Sequence, residues 1–600
     1  MKFMRILDEF SKICVNISDA DFGLTITFFI KFSWEVKMLD QRALSLFDIL
    51  GPIMIGPSSN HVAGAVRIGR IARMIFGQEP SAVSLRFYGS LAENYKGHRT
   101  DLAIIAGLLE MDVDDGRITK SLEIAHKKNI KITVHTQVYS KKDPNTMEMI
   151  LKSNTHSLEI EGVSPGGGEI VIHRIGEFWV YLQGNRDIVL IMVNEEEKQS
   201  ILQIIKNLFG DNLIKIDSSQ SKSKTLFCFY LDHMPDDTDL RKLESIKEFE
   251  FKSFIRCLYP YKLKDNSPLF GTVKEMLKLV EKQRITLPKA ILKYESKRSG
   301  LSEKEIRNRF KKIWMAMKRT NNEGLNGVKR PLDSIVGNDS RKIYKAYKEG
   351  KTITGKLIPL AISRAIASME VSTSMGRIVA APTGGSSGVI PGVIITMAEK
   401  LKSDEKEVID ALLVAAMIGV LVANVASLSG STGGCQSEIG VASGMAAGAL
   451  VQLAGGNPQQ VVNASALALK NLFGLTCDTV ANAIEVPCIK KNVIGVVNAL
   501  AVAEMALAGI ESVIPLDEVI VALKNVQELM PLALRNTQKG GLGITKTAKR
   551  LKREWRQKLE LLVCFSETAH LIFAGGQLGG WWALHGAAIT EVVHQMYPRL

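Results

Sequence analysis

Three cysteines, Cys435, Cys477 and Cys488, lie in one region rich in glycine, alanine and other small residues, within G-G-C-Q-S-E, L-T-C-D-T and V-P-C-I-K-K. Three thiolates can hold three corners of a cubane iron–sulfur cluster, where an electron carrier ordinarily uses four. An iron without a protein ligand is an open Lewis acid, suited to a substrate that must lose an oxygen. The spacing matches neither a C-x-x-C zinc knuckle nor a ferredoxin run, and buried, inert thiols are the ordinary alternative. Spacing alone leaves both readings open. The glycine, proline or threonine beside each cysteine, with polar residues gathered around it, favours a site.

Two further turns carry polar chemistry. Ala381-Pro-Thr-Gly-Gly-Ser-Ser-Gly388 precedes a helical run from Val389 to Glu399, so its backbone N–H groups are placed to cradle a carboxylate, with Thr383, Gly385 and Ser386 as donors. Gly56-Pro-Ser-Ser-Asn-His61 has the same character, with Ser58 and Ser59 beside His61. A plain helix cap accounts for either turn. His61 and His98, the latter in Y-K-G-H-R-T-D, stand in polar turns rather than on apolar faces. Histidine there is a candidate acid–base group or an ordinary surface residue.

The elements that must position these residues begin with bulk properties. A chain of 600 residues exceeds one core and predicts two to four domains. With 46% apolar and 23% charged residues and a mean hydropathy of +0.08, the composition is that of a soluble globular protein. Seven cysteines make no disulfide scaffold, so a reducing cytoplasm is expected. The formal charge of +14 comes without an aromatic-interleaved basic stripe, which predicts a solvated basic face and no nucleic-acid partner. Acidic residues interrupt the N-terminus before its short apolar run, so no secretory signal is expected. The uncharged runs Ala411–Gln436 and Ile439–Leu469 are long enough to span a bilayer. Their glycine, alanine, serine and asparagine content predicts close-packed buried helices instead, and no membrane partner.

The fold class expected is α+β, in several domains. Residues 43–185 mix strand-like alternation (Val83–Tyr88, Ile130–Val134) with a helix near Asp101–Leu109 and read as a mixed α/β domain. Strand, helix, strand, strand, helix and strand patterns follow within residues 186–262, the order of a ferredoxin-like unit with one sheet face under two helices. A polar linker, Leu263–Pro268, opens a large all-helical domain over 263–548, which carries the cysteines. Residues 1–42 and 549–600 read as extensions, the latter a basic helix followed by an apolar stretch with Trp581 and Trp582.

Longer motifs join these segments: F-D-I-L-G-P-I-M-I-G-P-S-S-N-H from Phe47 to His61, G-S-L-A-E-N-Y-K-G-H-R-T-D from Gly89 to Asp101, and D-P-N-T from Asp143. In the helical part stand M-G-R-I-V-A-A-P-T-G-G-S-S-G-V-I-P-G from Met375, S-G-S-T-G-G-C-Q-S-E from Ser429, and the run from Ala468 to Asn492 through both remaining cysteines. Over residues 43 to 550 the chain resembles the bacterial iron–sulfur-dependent L-serine dehydratases, also called L-serine ammonia-lyases. The resemblance implies an α/β domain, an ACT-type module of the kind some members carry, and a helical domain whose [4Fe–4S] cluster is held by Cys435, Cys477 and Cys488. It implies conversion of L-serine to pyruvate and ammonia without pyridoxal phosphate, with relatives acting on L-threonine or L-cysteine as the nearest alternative and a cluster-bearing sensor without turnover as another. On that reading His61 and His98 are acid–base candidates, with Lys490 a further one. Ser58, Ser59, Thr383, Gly385 and Ser386 would bind the substrate, and the site would lie between domains. A homodimer is the default assembly. Among the positions that depart from the family pattern, four, Asn60, Val62, Val425 and Thr432, put activity or substrate preference at issue.

Overall fold

The structure, a computed structural model, describes residues 44–557 apart from 139, 144, 247, 260–266, 330–333, 482–484 and 555–556. The expected N-terminal extension, most of the 263–268 linker and the tryptophan-bearing C-terminal stretch lie outside the described residues.

The first part comprises α1 (Leu46–Ile49), β1 (Ile53–Ile55), α2 (Ala65–Phe76), β2 (Ala82–Tyr88), α3 (Gly89–Asn94), α4 (Thr100–Leu108), α5 (Ser121–Lys127), β3 (Lys131–Gln137), β4 (Thr146–Lys152), β5 (Ser157–Val163), β6 (Val171–Ile175) and β7 (Phe178–Leu182). Its six-stranded sheet runs β3-β2-β4-β5-β6-β7, parallel only between β2 and β3. Alternation along β4 sends Met147, Met149 and Leu151 into a core shared with α2 and α4, while Glu148 takes the other face.

β8 (Asp187–Asn194), α6 (Lys198–Phe209), β9 (Leu213–Ser221), β10 (Lys224–Leu231), α7 (Asp237–Ser245) and β11 (Phe251–Ile255) follow in the expected order. They form an antiparallel sheet ordered β11-β8-β10-β9. Both of its faces are buried, not one. Val189, Ile191, Val193, Phe227 and Phe229 pack with Ile201, Ile205 and Leu243 of the two helices. The alternate residues Ile188, Leu190, Leu226 and Cys228 join the core of the first part, against which Ser253 Oγ donates to Met74 O at 2.8 Å. Period-two alternation thus serves two cores, which is why β8 reads as a continuous apolar run.

The helical part contains α8 (Val273–Gln283), α9 (Leu287–Ser299), α10 (Glu303–Asn326), α11 (Asp339–Lys348), α12 (Leu357–Thr373), a short β12 (Arg377–Val379), α13 (Val389–Leu401), α14 (Glu405–Ala423), α15 (Gly430–Gly433), α16 (Val441–Leu453), α17 (Pro458–Asn471), α18 (Glu485–Leu507) and α19 (Leu516–Leu529). Ser302 caps α10 through a capping box with Glu305, as its sequence predicts. The uncharged runs supply most of α14, all of α16 and most of α17; α14 and α16 pack together, and from Ala411 to Val422 and through most of α16 the side chains are buried. Among the described residues α18 alone is long and apolar enough to cross a membrane, and half of its apolar window is buried in the protein.

The α/β and helical parts are stitched together. β1 pairs antiparallel with β12, Ile53 opposite Val379, and the ladder is extended by Gly51 N–H to Ala380 O at 2.9 Å and Gly56 N–H to Gly376 O at 3.0 Å. Residues 44–50, grouped by pattern with the α/β part, pack instead in the helical core, where Phe47 lies 5.2 Å from Phe310 and Glu295 accepts from Ser45 Oγ and Leu46 N–H.

Candidate active site

The three cysteines converge. Their sulfur atoms lie within 4.8 Å of one another, all buried, although the residues come from three separate turns. Cys435 opens a π-helical turn, Gln436–Gly440, that leads into α16. The Gln436 side chain then staples two loops, donating to Gly433 O and accepting from Gly474 N–H, both at 2.9 Å. Cys477 is held as a strand residue by a bridge to residues 534–536: its N–H donates to Leu534 O at 2.8 Å and its carbonyl accepts from Asn536 N–H at 2.7 Å. Cys488 sits in the first turn of α18, and Asn492 one turn later donates to Cys488 O and Gly385 O, both at 2.9 Å. The same Asn492 accepts from Gly388 N–H at 3.1 Å, tying the third cysteine to the glycine-rich turn.

Three thiols so close act on each other. S–H donation from Cys435 and Cys477 favours a thiolate at Cys488, whose pKa falls well below the usual thiol value. Cys477 is pushed the other way by Cys435, Cys488 and burial. Lys491 supplies positive charge nearby, its Nζ bonded to Thr476 O at 2.6 Å and Asp478 Oδ1 at 2.9 Å. Such a soft, buried donor set suits a thiophilic metal centre.

His61 and His98 meet edge to face with ring centres 4.3 Å apart. His98 Nδ1 lies 3.1 Å from Asn94 O, a carbonyl that only accepts, so Nδ1 carries the proton and Nε2 keeps its lone pair. Burial pushes His98 down to about 4. Burial, and then His98 itself, lower His61 well below its usual value, and His61 Nδ1 has no hydrogen-bond partner among the described residues. Both rings are therefore neutral near pH 7 and able to accept a proton. Ser58 positions His61, its Oγ accepting from His61 N–H at 3.3 Å.

Hydrogen bonds bring this pair to the cysteines. Asn145, which stands against His61, donates to Ser431 Oγ at 3.0 Å; Asn60 donates to Ser429 Oγ at 3.2 Å; and the two serines are 2.7 Å apart. On the other side Asn94 donates to Asn536 O at 3.1 Å, and Asn536 Oδ1 lies 3.8 Å from Cys477 Sγ. The expected interdomain site is thus one connected polar cluster.

The glycine-rich turn is more self-contained than its sequence suggests. Ser386 Oγ donates to Ala381 O at 3.0 Å, Ser59 Oγ takes the Gly384 N–H at 3.5 Å, and Ser387 N–H closes on Gly384 O at 3.4 Å. Thr383 Oγ1 donates at 2.7 Å to Glu438, a carboxylate of the protein itself, three residues after Cys435. Burial, and then the neighbouring Cys435, push Glu438 up to about 8 against the pull of the Thr383 hydroxyl. Lys490 is not brought to the cluster. It is half exposed and paired with Asp339 at 2.6 Å, because on α18 it points away from the face that Cys488 and Asn492 share; Lys491 takes the inner place.

Sequence reasoning passed over Glu438, Asn94, Asn145, Asn492 and Asn536. Glu438, Asn94, Asn145 and Asn492 all lie within the motifs given above, whereas Asn536 has no local signal. Of the four departures, Asn60 is in the cluster, Val62 lies in the α/β core, and Val425 and Thr432 are exposed.

A family model described as serine dehydratase beta chain matches residues 45–174, and one described as serine dehydratase alpha chain matches residues 282–543. The probable L-serine dehydratase alpha chain of Bacillus subtilis (strain 168) is 41% identical over 286 residues, 48% of this chain and 95% of the relative. The probable beta chain of the same organism is 47% identical over 152 residues, 25% of this chain and 69% of the relative. The L-serine dehydratase of Streptomyces coelicolor is 28% identical over 517 residues, 84% of this chain and 99% of the relative.

Proposed function

Because the chain belongs to the serine dehydratase family, with beta-type and alpha-type segments on one polypeptide, we propose that it eliminates water from L-serine to give pyruvate and ammonia. The observation that carries this reading is the meeting of Cys435, Cys477 and Cys488 from the helical part with His61 and His98 from the α/β part.

The donor set fits an iron–sulfur centre: three buried thiols face one another, one of them favoured as thiolate. Cys435, Cys477 and Cys488 would hold a [4Fe–4S] cluster, and when bound it supplies an open Lewis-acidic iron that makes the β-hydroxyl a better leaving group. The chain's own residues do the rest. A neutral histidine of the His61–His98 pair accepts the α-proton, Nε2 of His98 being the ring nitrogen left with a lone pair by the Asn94 bond. Burial of both rings excludes water and keeps them uncharged until substrate delivers the proton. Loss of hydroxide and the α-proton leaves aminoacrylate, which tautomerises to an imine and takes up water to release ammonia and pyruvate.

Residues 186–262 are read as an ACT-like regulatory or dimerising module on the strand order of their described part, by analogy.

Anaerobic reconstitution with iron and sulfide, followed by pyruvate release from L-serine, tests the function. L-threonine and L-cysteine in parallel assays set its preference. Uptake of iron without product from any of the three would overturn it.

A further inference from the structure

One acidic side chain at the meeting of cysteines and histidines has no charge partner among the described residues. Glu438 forms no ion pair among the described residues, whereas the neighbouring cation, Lys491, is engaged with Asp478. Its Oε1 is fixed by the Thr383 hydroxyl at 2.7 Å, and its Oε2 takes no hydrogen bond from the described residues. The side chain is part-exposed, while the cysteines and both histidines are buried.

Two glycines frame it. A Cβ on Gly385 would lie 3.1 Å from Oε1, and one on Gly430 would lie 2.5 Å from Oε2 and 3.6 Å from Cys477 Sγ. Side chains at these positions would fill the carboxylate's own place, so the small residues keep one oriented carboxylate beside the thiols. A negative group next to thiolates is unfavourable unless a cation joins it. The reaction proposed above brings one, because an amino-acid substrate carries an α-ammonium on the carbon next to the one that bears the hydroxyl to be lost.

We propose that Glu438 receives the α-ammonium of the amino-acid substrate, with Thr383 as its positioning residue. This rests on the reading of the chain as an amino-acid dehydratase and adds which side chain selects amino acids over hydroxy acids. A carboxylate–ammonium contact in a partly desolvated site is a charge-assisted hydrogen bond whose loss leaves the ammonium unpaired.

The test uses the reconstituted full chain and two ligands, L-serine and glycerate, in which a hydroxyl replaces the ammonium. In Glu438→Gln, KM for L-serine is expected to rise by roughly 30- to 100-fold, in line with a lost charged contact. Inhibition by glycerate should stay the same or tighten, and iron content per chain should match the parent. Glu438→Asp should recover part of the preference, and Thr383→Val should raise KM several-fold. An unchanged KM with lost kcat, an equal loss of serine and glycerate affinity, or a fall in bound iron would each overturn the proposal. Failure of the functional reading looks different: the parent itself would make no product, while L-serine binding by calorimetry would still separate parent from Glu438→Gln.

Discussion

Two regions bury titratable side chains to a similar depth and use them in opposite ways. On the outer face of the six-stranded sheet, Glu148 and Glu161 are saturated. Lys142 donates to both, at 3.0 and 2.5 Å; Arg86 and Tyr88 complete Glu148; His173 and Arg174 complete Glu161. Burial pushes Glu161 up, but the bonds from His173 and Lys142 outweigh it and hold the carboxyl at about 2. Around the cysteines the groups are left short of partners: among the described residues His61 Nδ1 and Asn145 Oδ1 bond to nothing and Glu438 has no cation. Depth of burial is thus a poor guide to function. Unmet bonding capacity is the better one, since a satisfied network resists change while an unsatisfied site is ready for a ligand.

The largest effect that tests this contrast is loss of a thiol. Cys435→Ala should abolish iron uptake on reconstitution and lower pyruvate formation by more than the roughly 100-fold that losing a supporting contact costs. Circular dichroism should stay native, because the residue is small and its backbone bonds remain. Retained iron and turnover would mean that the trio is inert core.

Next come the histidines. His98→Gln should keep iron and fold but reduce kcat by roughly 10² to 10⁴, the range for a lost acid–base group. A drop below threefold in both His61→Gln and His98→Gln would remove proton transfer from this pair. Glu161→Gln probes the other region: kcat should hold within about threefold, while stability to urea should fall by roughly 3 kcal/mol, as when one member of a buried pair is removed. Should Glu161→Gln instead lose turnover at full stability, the saturated network would belong to the site and the contrast would collapse.

The same contrast explains what the sequence disclosed. The βαββαβ order was legible because its alternating and helical periods are local, and the small-residue runs announced close-packed helices that became α14 and α16. Cys435, Cys477, Cys488, His61 and His98 were legible because turns mark them. Partners were not. Asn536 is tied to Cys477 and Asn94 by contacts that no sequence period encodes, and Lys490 and Lys491 differ only in which side of one helix each occupies. The placement of residues 44–50 in the helical core was hidden for a similar reason, since Phe47 finds Phe310 only across the assembled domains. The four-stranded sheet's second buried face likewise required the neighbouring part to be in place.

The smallest effect, and the one that sets the two regions against each other in a single measurement, is stability against pH. His98 titrates at about 4 in the folded chain against 6.5 for the free side chain, so as pH falls below 6.5 the unfolded state binds the proton first. Its contribution is complete above 6.5, is lost on the way down to about 4, and cannot exceed about 3.5 kcal/mol at roughly 1.4 per unit. Glu161 also has a lowered folded value, about 2 against 4.5, so its contribution is complete above 4.5 and is lost between 4.5 and 2. Urea midpoints taken from pH 7 to pH 3 should therefore fall in two stages. His98→Gln should flatten the upper stage, leaving the part due to His61, and Glu161→Gln should flatten only the lower one. A His98→Gln protein that loses stability as steeply as the parent between pH 6.5 and 5 would show that the ring is not held neutral by burial. The distinction between an unsatisfied site and a satisfied network would then fail at its best-placed residue.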